Sequence, residues 1–163
     1  MTTREWIETT VGEIASVERN GLVGGPFGSN LVSRDYVKAG VPVIRSLNMG
    51  QGRWVGGDFA FVPELKARQL AANVAHPMDI VFMQRGTLRQ VAVVPSEPFD
   101  KYIVSQSQGK LTVEPSKADP LFVYYVFLVH RFNTTWLRMP SRRGCLIQIL
   151  AFFTTDRSAS PPE

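Results

Sequence analysis

The sequence contains almost no cysteine and little histidine. Cys145 is the only cysteine, and His76 and His130 are the only histidines, among 163 residues. A single cysteine excludes a disulfide within the chain and a cysteine-rich metal site. No spacing of histidines, cysteines and carboxylates is typical of a metal site. We therefore expect no metal and no cofactor.

Long hydrophobic runs are also absent. The longest run, Leu121 to Val129, is far shorter than the roughly 20 apolar residues that a transmembrane helix needs. The first ten residues are polar and acidic, which is not typical of a signal peptide. We therefore expect a cytoplasmic protein without a membrane-spanning segment.

No motif of a nucleotide-binding or catalytic site is present. Gly24, Gly25 and Gly28 fit neither the P-loop pattern nor the dinucleotide-binding pattern. We interpret them as a structural turn with close backbone packing. The carboxylates are scattered and unpaired, so we predict no catalytic residue. A small hydrolase or nuclease is the weaker alternative.

Positive charge is modest and unevenly distributed. The net charge is +4, yet residues 1–130 carry 13 Lys and Arg against 12 Asp and Glu. The remaining residues carry 5 against 2. Such a composition allows a polyanionic partner without demanding one. A nucleic-acid site in the first part of the chain must therefore be a local patch.

Hydrophobic periodicity predicts an α/β (α+β) fold: a mixed, mostly antiparallel, twisted β-sheet with two main helices. Pro63 and Asp119-Pro120 mark the helix starts. The predicted helices are 63–74 and 119–132, with a shorter one at 29–39. The predicted strands are 13–18, 41–46, 58–62, 79–84, 88–94, 102–104 and 111–113. Because the composition changes after Asn133, we assign 1–133 to one domain and 134–163 to an atypical tail.

Three polar segments follow or interrupt the predicted strands. Arginine pairs with guanine in the major groove, asparagine and glutamine pair with adenine, and Ser, Thr and Lys contact phosphates. Each segment is therefore either a DNA-reading surface or a solvated loop, and the third is equally consistent with a structural turn. The segments are Arg45, Ser46, Asn48, Gln51 and Arg53; Gln84, Arg85, Thr87, Arg89 and Gln90; and Ser105 to Lys110, including Gln106.

Arg85 is the residue in these segments that we single out. Gly86 allows a sharp turn, which would present Arg85 at the tip of a predicted hairpin. The alternative is a structural arginine that donates to carbonyls of a neighbouring loop.

Several short segments occur in an order and spacing typical of one protein family. They are Trp6 with Val11 to Ile14, the Pro-Phe-Gly-Ser segment, Tyr36 with Gly40 to Arg45, Met78 to Val81, Arg85 to Thr87, Ile103 to Gln106 and Lys117 to Phe122. In them the chain resembles the target-recognition domain of the specificity subunit of type I restriction–modification systems. The chain departs from that pattern at Arg89, where a glycine is usual, and after Asn133, where the long spacer helix is not found.

The resemblance implies a domain that reads one half of a split DNA site and does no chemistry itself. It implies double-stranded DNA as the ligand and the methyltransferase and restriction subunits as partners, and it leaves a homodimer open. The alternative is a truncated, inactive fragment of such a subunit. The predicted DNA-binding residues are Arg45, Ser46, Asn48, Arg53, Gln84, Arg85, Thr87, Arg89 and Gln106.

Overall fold

A computed structural model describes residues 6–50, 52–84, 90–130 and 149–152. Its strands are β1 (Trp6–Thr9), β2 (Leu22–Gly24), β3 (Val41–Ile44), β4 (Ala60–Val62), β5 (Val74–Ala75), β6 (Ile80–Met83), β7 (Val91–Val93), β8 (Tyr102–Val104), β9 (Gln108–Leu111) and β10 (Ile149–Phe152). Its α-helices are α1 (Val11–Ile14), α2 (Glu64–Gln69) and α3 (Pro120–His130). Within the described part of the chain, no helix is long and apolar enough to cross a membrane.

Most of these strands form two four-stranded sheets. The first has the order β2-β9-β6-β7 and is antiparallel throughout. The second has the order β4-β3-β8-β5 and contains the parallel pair β3–β8. The predicted α+β class with mostly antiparallel strands is confirmed, although the strands are divided between two sheets.

The sheets pack face to face, and a helix covers each outer face. Strand β6 shows the arrangement: Ile80 and Phe82 pack in the cluster that contains α3, whereas Val81 and Met83 pack against the second sheet. Because successive side chains point to opposite faces, a strand covered on both faces is apolar at every position. On the far side, α2 contributes Ala67 to the core of the second sheet.

Helix α3 begins where the sequence predicts. The carboxylate of Asp119 accepts a hydrogen bond from the Phe122 N–H at 2.8 Å, as expected of an N-cap. Val123 and Phe127 are buried, but Val129 is 69% exposed. An apolar run such as Leu121 to Val129 predicts a helix that lies in the core, but this helix covers the core on one side only.

Two predicted elements differ in type because side chains bond the backbone locally. A strand was expected over 13–18, but Thr10 and Glu13 form a capping box that starts α1. A helix was expected over 29–39, but the chain forms two 3-10 turns, Gly28–Asn30 and Ser33–Asp35. Asp35 accepts from the Val32 N–H at 2.8 Å, and such bonds compete with a continuous helix.

The helix predicted over 63–74 is shorter than expected. Helix α2 ends at Gln69, and a 3-10 turn, Ala71–Asn73, follows it. The side-chain amide of Asn73 donates to the Gly24 carbonyl at 2.7 Å. This bond to a distant loop stabilises the break, since it holds the chain away from helical geometry.

The N-terminal strand pairs with a strand from the compositionally distinct tail. β1 and β10 run antiparallel, with Trp6 opposite Phe152 and Thr9 opposite Ile149. The segment after residue 133 thus contributes a strand next to the start of the chain. The domain boundary itself stays a prediction.

An ion pair is buried in the first sheet. The Nζ atom of Lys110 on β9 lies 3.7 Å from a carboxylate oxygen of Asp79, and the side chains are 2% and 3% exposed. The ammonium also donates to the Arg19 carbonyl and the Thr112 hydroxyl, each at 3.1 Å. Burial lowers the pKa of Lys110, and the neighbouring Asp79 carboxylate opposes that shift.

We predict that Lys110→Met destabilises the fold by about 3 to 5 kcal/mol, because it leaves the Asp79 carboxylate buried without its cation. Urea unfolding measures the loss. The matched control is Lys101→Met, whose partner Glu64 is about half exposed, and it should change stability little. Equal, small effects of the two substitutions would contradict a structural role for the buried pair.

Candidate nucleic-acid interface

The ends of three buried strands bring polar segments to one edge of the molecule. Strand β3 ends before Arg45, β6 before Gln84 and β8 before Ser105. Because β3 and β8 are parallel, their carboxyl ends lie side by side, and the Ser105 N–H donates to the Ile44 carbonyl at 3.1 Å. The Gln84 N–H donates to the Ser107 carbonyl at 2.8 Å and ties the first sheet to the same place. We name residues 45–50, 52–54, 84 and 105–107 the polar edge.

The glycine-rich segment, Gly24 to Gly28, packs against the backbone of the polar edge at Ser105. A side chain at Gly25 would collide with the backbone carbonyls of Ser105 and Gln108, so only glycine allows the close approach. The interpretation of the segment as a structural turn with close backbone packing is therefore confirmed.

Gln106 forms hydrogen bonds to the same segment and to Leu31 just after it. Its side-chain amide donates to the carbonyls of Gly28 and Leu31, each at 2.7 Å. Gln106 was predicted to bind DNA, but in this arrangement its donors are occupied by backbone oxygens. Its position supports a loop rather than presenting an amide to a base edge.

The polar segment Ser105 to Lys110 interrupts the strands, as expected, but only over residues 105–107. Strand β9 begins at Gln108, and both Gln108 and Lys110 are buried. When the side-chain amide of Gln108 is oriented so that its NH2 group faces acceptors, it donates to the Ile44 carbonyl at 3.3 Å, and its oxygen accepts from the Ser46 N–H at 3.1 Å. Gln108 also contacts the Ser105 hydroxyl. These polar side chains thus connect strand ends inside the protein.

Asn48 is a second predicted DNA-binding residue that the structure buries. Its side chain is 2% exposed, and its carbonyl oxygen accepts from the Arg45 N–H at 3.0 Å. Its amide donates to the carbonyls of Gly56 and Asp58 at 3.0 and 2.9 Å. Asn48 therefore holds the loop after β3 in shape, and both of its amide N–H groups are bonded to backbone carbonyls.

Arg45 and Arg53 lie half-buried at the polar edge, and their hydrogen bonds among the described residues go to neutral groups. Arg45 donates to the Asp58 carbonyl at 3.5 Å, and Arg53 donates to the Tyr125 hydroxyl at 3.2 Å. Neither arginine pairs with a carboxylate in the described part of the chain. Both guanidinium groups are held by neutral groups, so their positive charge remains available to an anion.

The remaining predicted residues fall into two groups. Ser46 and Gln84 are exposed, and Trp54, which pairs with Val93, is 41% exposed. Arg85, Thr87 and Arg89, with Gln51, lie outside the described residues, and their role stays a prediction.

Tyr125 is a residue that the sequence analysis missed. It is 49% exposed on α3, and its hydroxyl accepts the hydrogen bond from Arg53. The helix is apolar on every side, so its periodicity does not reveal an outer face. The available signal was a hydroxyl-bearing side chain within a run of apolar ones.

The described titratable groups form no metal site. No group of three or more His, Cys, Asp or Glu among the described residues could hold an ion. His76 is partly buried, and its backbone N–H donates to the Asp79 carboxylate at 2.9 Å. Burial lowers the pKa of His76, the positive charge of Arg19 lowers it further, and the Asp79 carboxylate opposes these effects.

The fold, rather than the sequence, is similar to solved structures. No family model matches the chain, and no curated protein matches its sequence. The crystal structure of the HsdS subunit from Thermoanaerobacter tengcongensis matches with a TM-score of 0.60 at 14% identity, over 83% of this chain and 30% of that chain. The chain has the fold of part of an HsdS subunit.

A second solved structure gives the same result. This structure concerns complex assembly and conformational transition of the type I R-M system. It matches with a TM-score of 0.56 at 14% identity. That match covers 82% of this chain and 29% of the other. The chain therefore spans less than a third of the HsdS chain and of this second chain. The fold implied by the family resemblance is confirmed.

Substituting Asn48 tests its structural role. We expect Asn48→Asp to cost about 1 to 3 kcal/mol of unfolding free energy, because the carbonyls of Gly56 and Asp58 would lose their donor. Ser46→Ala, at an exposed position two residues away, is the control and should be nearly neutral. Thermal unfolding of both variants makes the comparison, and an Asn48→Asp variant as stable as the control would contradict the assignment.

His76 generates a pH prediction. Its folded pKa lies below the unfolded value, so the folded state binds fewer protons, and stability must fall as the pH decreases through that window. Chemical unfolding between about pH 7.5 and pH 5 measures the decline around the ordinary histidine pKa. His76→Gln should flatten the decline. An unchanged slope would show that His76 does not cause it.

Proposed function

We propose that this chain is a non-catalytic DNA-recognition module of a type I restriction–modification specificity subunit. It would choose the sequence at which methyltransferase and restriction subunits act, and the chemistry would belong to those partners. The observation that carries the proposal is the match of 83% of the chain to an HsdS subunit at a TM-score of 0.60.

The polar edge supports a DNA-binding role physically. Readout of a duplex requires hydrogen-bonding side chains on a backbone that does not rearrange, together with positive charge for the phosphates. The ends of β3, β6 and β8 supply the rigid backbone, and Arg45 and Arg53 supply charge without acidic partners. These features favour an anionic partner at this edge.

The geometry divides the predicted residues into contacts and supports. We propose Arg45, Ser46, Arg53 and Gln84 as contacts on the described surface. Arg85, Thr87 and Arg89 follow Gln84 between the antiparallel strands β6 and β7, so we propose them as contacts from the hairpin tip. Asn48 and Gln106 would instead support the loops that carry these contacts, since backbone groups occupy their amides.

Selection of bound duplexes from a random pool tests the proposed function. We expect enrichment of one short sequence, with an affinity that decreases steeply as salt increases, because phosphate contacts release counterions. A folded chain that enriches no duplex and forms no complex with a methyltransferase subunit would be the inactive fragment instead.

Arg85→Ala then separates base reading from general affinity. If Arg85 contacts a guanine edge, its loss should weaken binding to the selected duplex by about 1 to 3 kcal/mol and leave binding to a scrambled duplex nearly unchanged. Fluorescence anisotropy with both duplexes gives the comparison. Equal losses on the two would mean that Arg85 contacts phosphate or supports the fold.

A further inference from the structure

We propose that Arg53 is a phosphate-binding residue of the polar edge rather than a reader of bases, and that Tyr125 on α3 positions it. The ligand of this site would be an oxyanion, supplied in the complex by a phosphodiester of DNA. The role in the complex rests on the proposed DNA-binding function, whereas the affinity of the site for an anion does not.

The surroundings of Arg53 restrict which of its donors can reach a ligand. Reading guanine requires two N–H groups presented side by side. The Nε atom of Arg53 is buried without a hydrogen-bond partner, and Nη1 donates to the Tyr125 hydroxyl at 3.2 Å. The fork formed by Nε and Nη2 is therefore blocked by burial, and a fork formed by Nη1 and Nη2 would compete with the bond to Tyr125. The two N–H groups of Nη2, with the full charge of the guanidinium, suit a phosphate oxygen better than a base edge.

Aromatic side chains hold the guanidinium in this orientation. Its central carbon lies 4.9 Å from the centre of the Trp54 ring, within the range of a cation–π interaction. The ring covers one face of the group, and the Tyr125 hydroxyl fixes one end. Neither partner is an anion, so the contacts orient Arg53 without neutralising it.

Tyr125 can position Arg53 because α3 is itself held firmly. Val123 and Phe127 on the same helix are buried in the core, and Phe127 stacks on Phe82 of β6 with ring centres 6.1 Å apart. Tyr125 lies on the outer side of the helix, beside the loop that carries Arg53. The hydrogen bond thus links the loop to an element with little freedom to move.

The DNA experiment compares a selected with a scrambled duplex. Arg53→Ala should weaken both by the same factor, about tenfold, and reduce the salt dependence by about one phosphate contact. Arg53→Lys should restore part of the loss on both, because a phosphate accepts a point charge. Tyr125→Phe should cost both duplexes about fivefold, the typical net worth of one hydrogen bond, and less than the loss of Arg53 itself because the charge remains. It should add nothing in the Arg53→Ala background.

The control for Tyr125→Phe is Tyr102→Phe, which removes a hydroxyl from a buried tyrosine at the start of β8, at the opposite end of that strand from Ser105. It should leave binding to both duplexes unchanged. A loss on the selected duplex that far exceeds the loss on the scrambled one would make Arg53 a base reader and overturn the inference. No loss on either duplex would also overturn it.

A second measurement needs no DNA. Inorganic phosphate is titrated into ¹⁵N-labelled protein while the side-chain N–H signals of Arg53 and Trp54 are followed by NMR. Both signals should shift in the wild type. In Tyr125→Phe the same shifts should require more phosphate, and in Arg53→Ala the Trp54 signal should not shift. If the wild type selects no duplex but these shifts occur, the proposed function fails and the anion site stands. Absence of the shifts would overturn the anion site.

Discussion

Two backbone hydrogen bonds determine the edge on which the proposed function depends. The Ser105 N–H to Ile44 carbonyl bond extends the parallel pairing of β3 and β8, and the Gln84 N–H to Ser107 carbonyl bond joins the other sheet to the same turn. The chain crosses from one sheet to the other within this turn. Polar segments that lie far apart in sequence therefore meet on a backbone with little freedom to rearrange.

Polar side chains at this edge perform two different tasks. Asn48 and Gln108 are buried, and the amide of each is hydrogen-bonded to backbone groups, which is the usual condition for burying an amide. Arg45 and Arg53 are half-buried and meet only neutral groups. Asn48 and Gln108 thus fix the shape of the loops, whereas the charges of Arg45 and Arg53 are available to a ligand. Rigidity and affinity therefore come from different residues.

The sequence predicted several elements with a local cause, missed the local caps at Thr10 and Asp35, and could not indicate contacts between distant residues. Three elements with a local cause can be recognised from the sequence alone: the apolar runs of β6 and β8 and the N-cap at Asp119. The sequence around Asn48 does not show whether its amide faces a base or a backbone carbonyl. In the structure its amide donates to the carbonyls of Gly56 and Asp58. The Arg53–Tyr125 bond joins residues 72 positions apart, so no local pattern could indicate it.

The central claim is that one preformed polar edge contacts DNA while the fold beneath it stays unchanged. Backbone amide shifts, measured by NMR as a selected duplex is added, test this claim most directly. The account predicts shifts concentrated at residues 45–54, 84–90 and 105–107, with helix α2 on the far side unaffected. Shifts centred on α2, or spread through the buried strands, would contradict it.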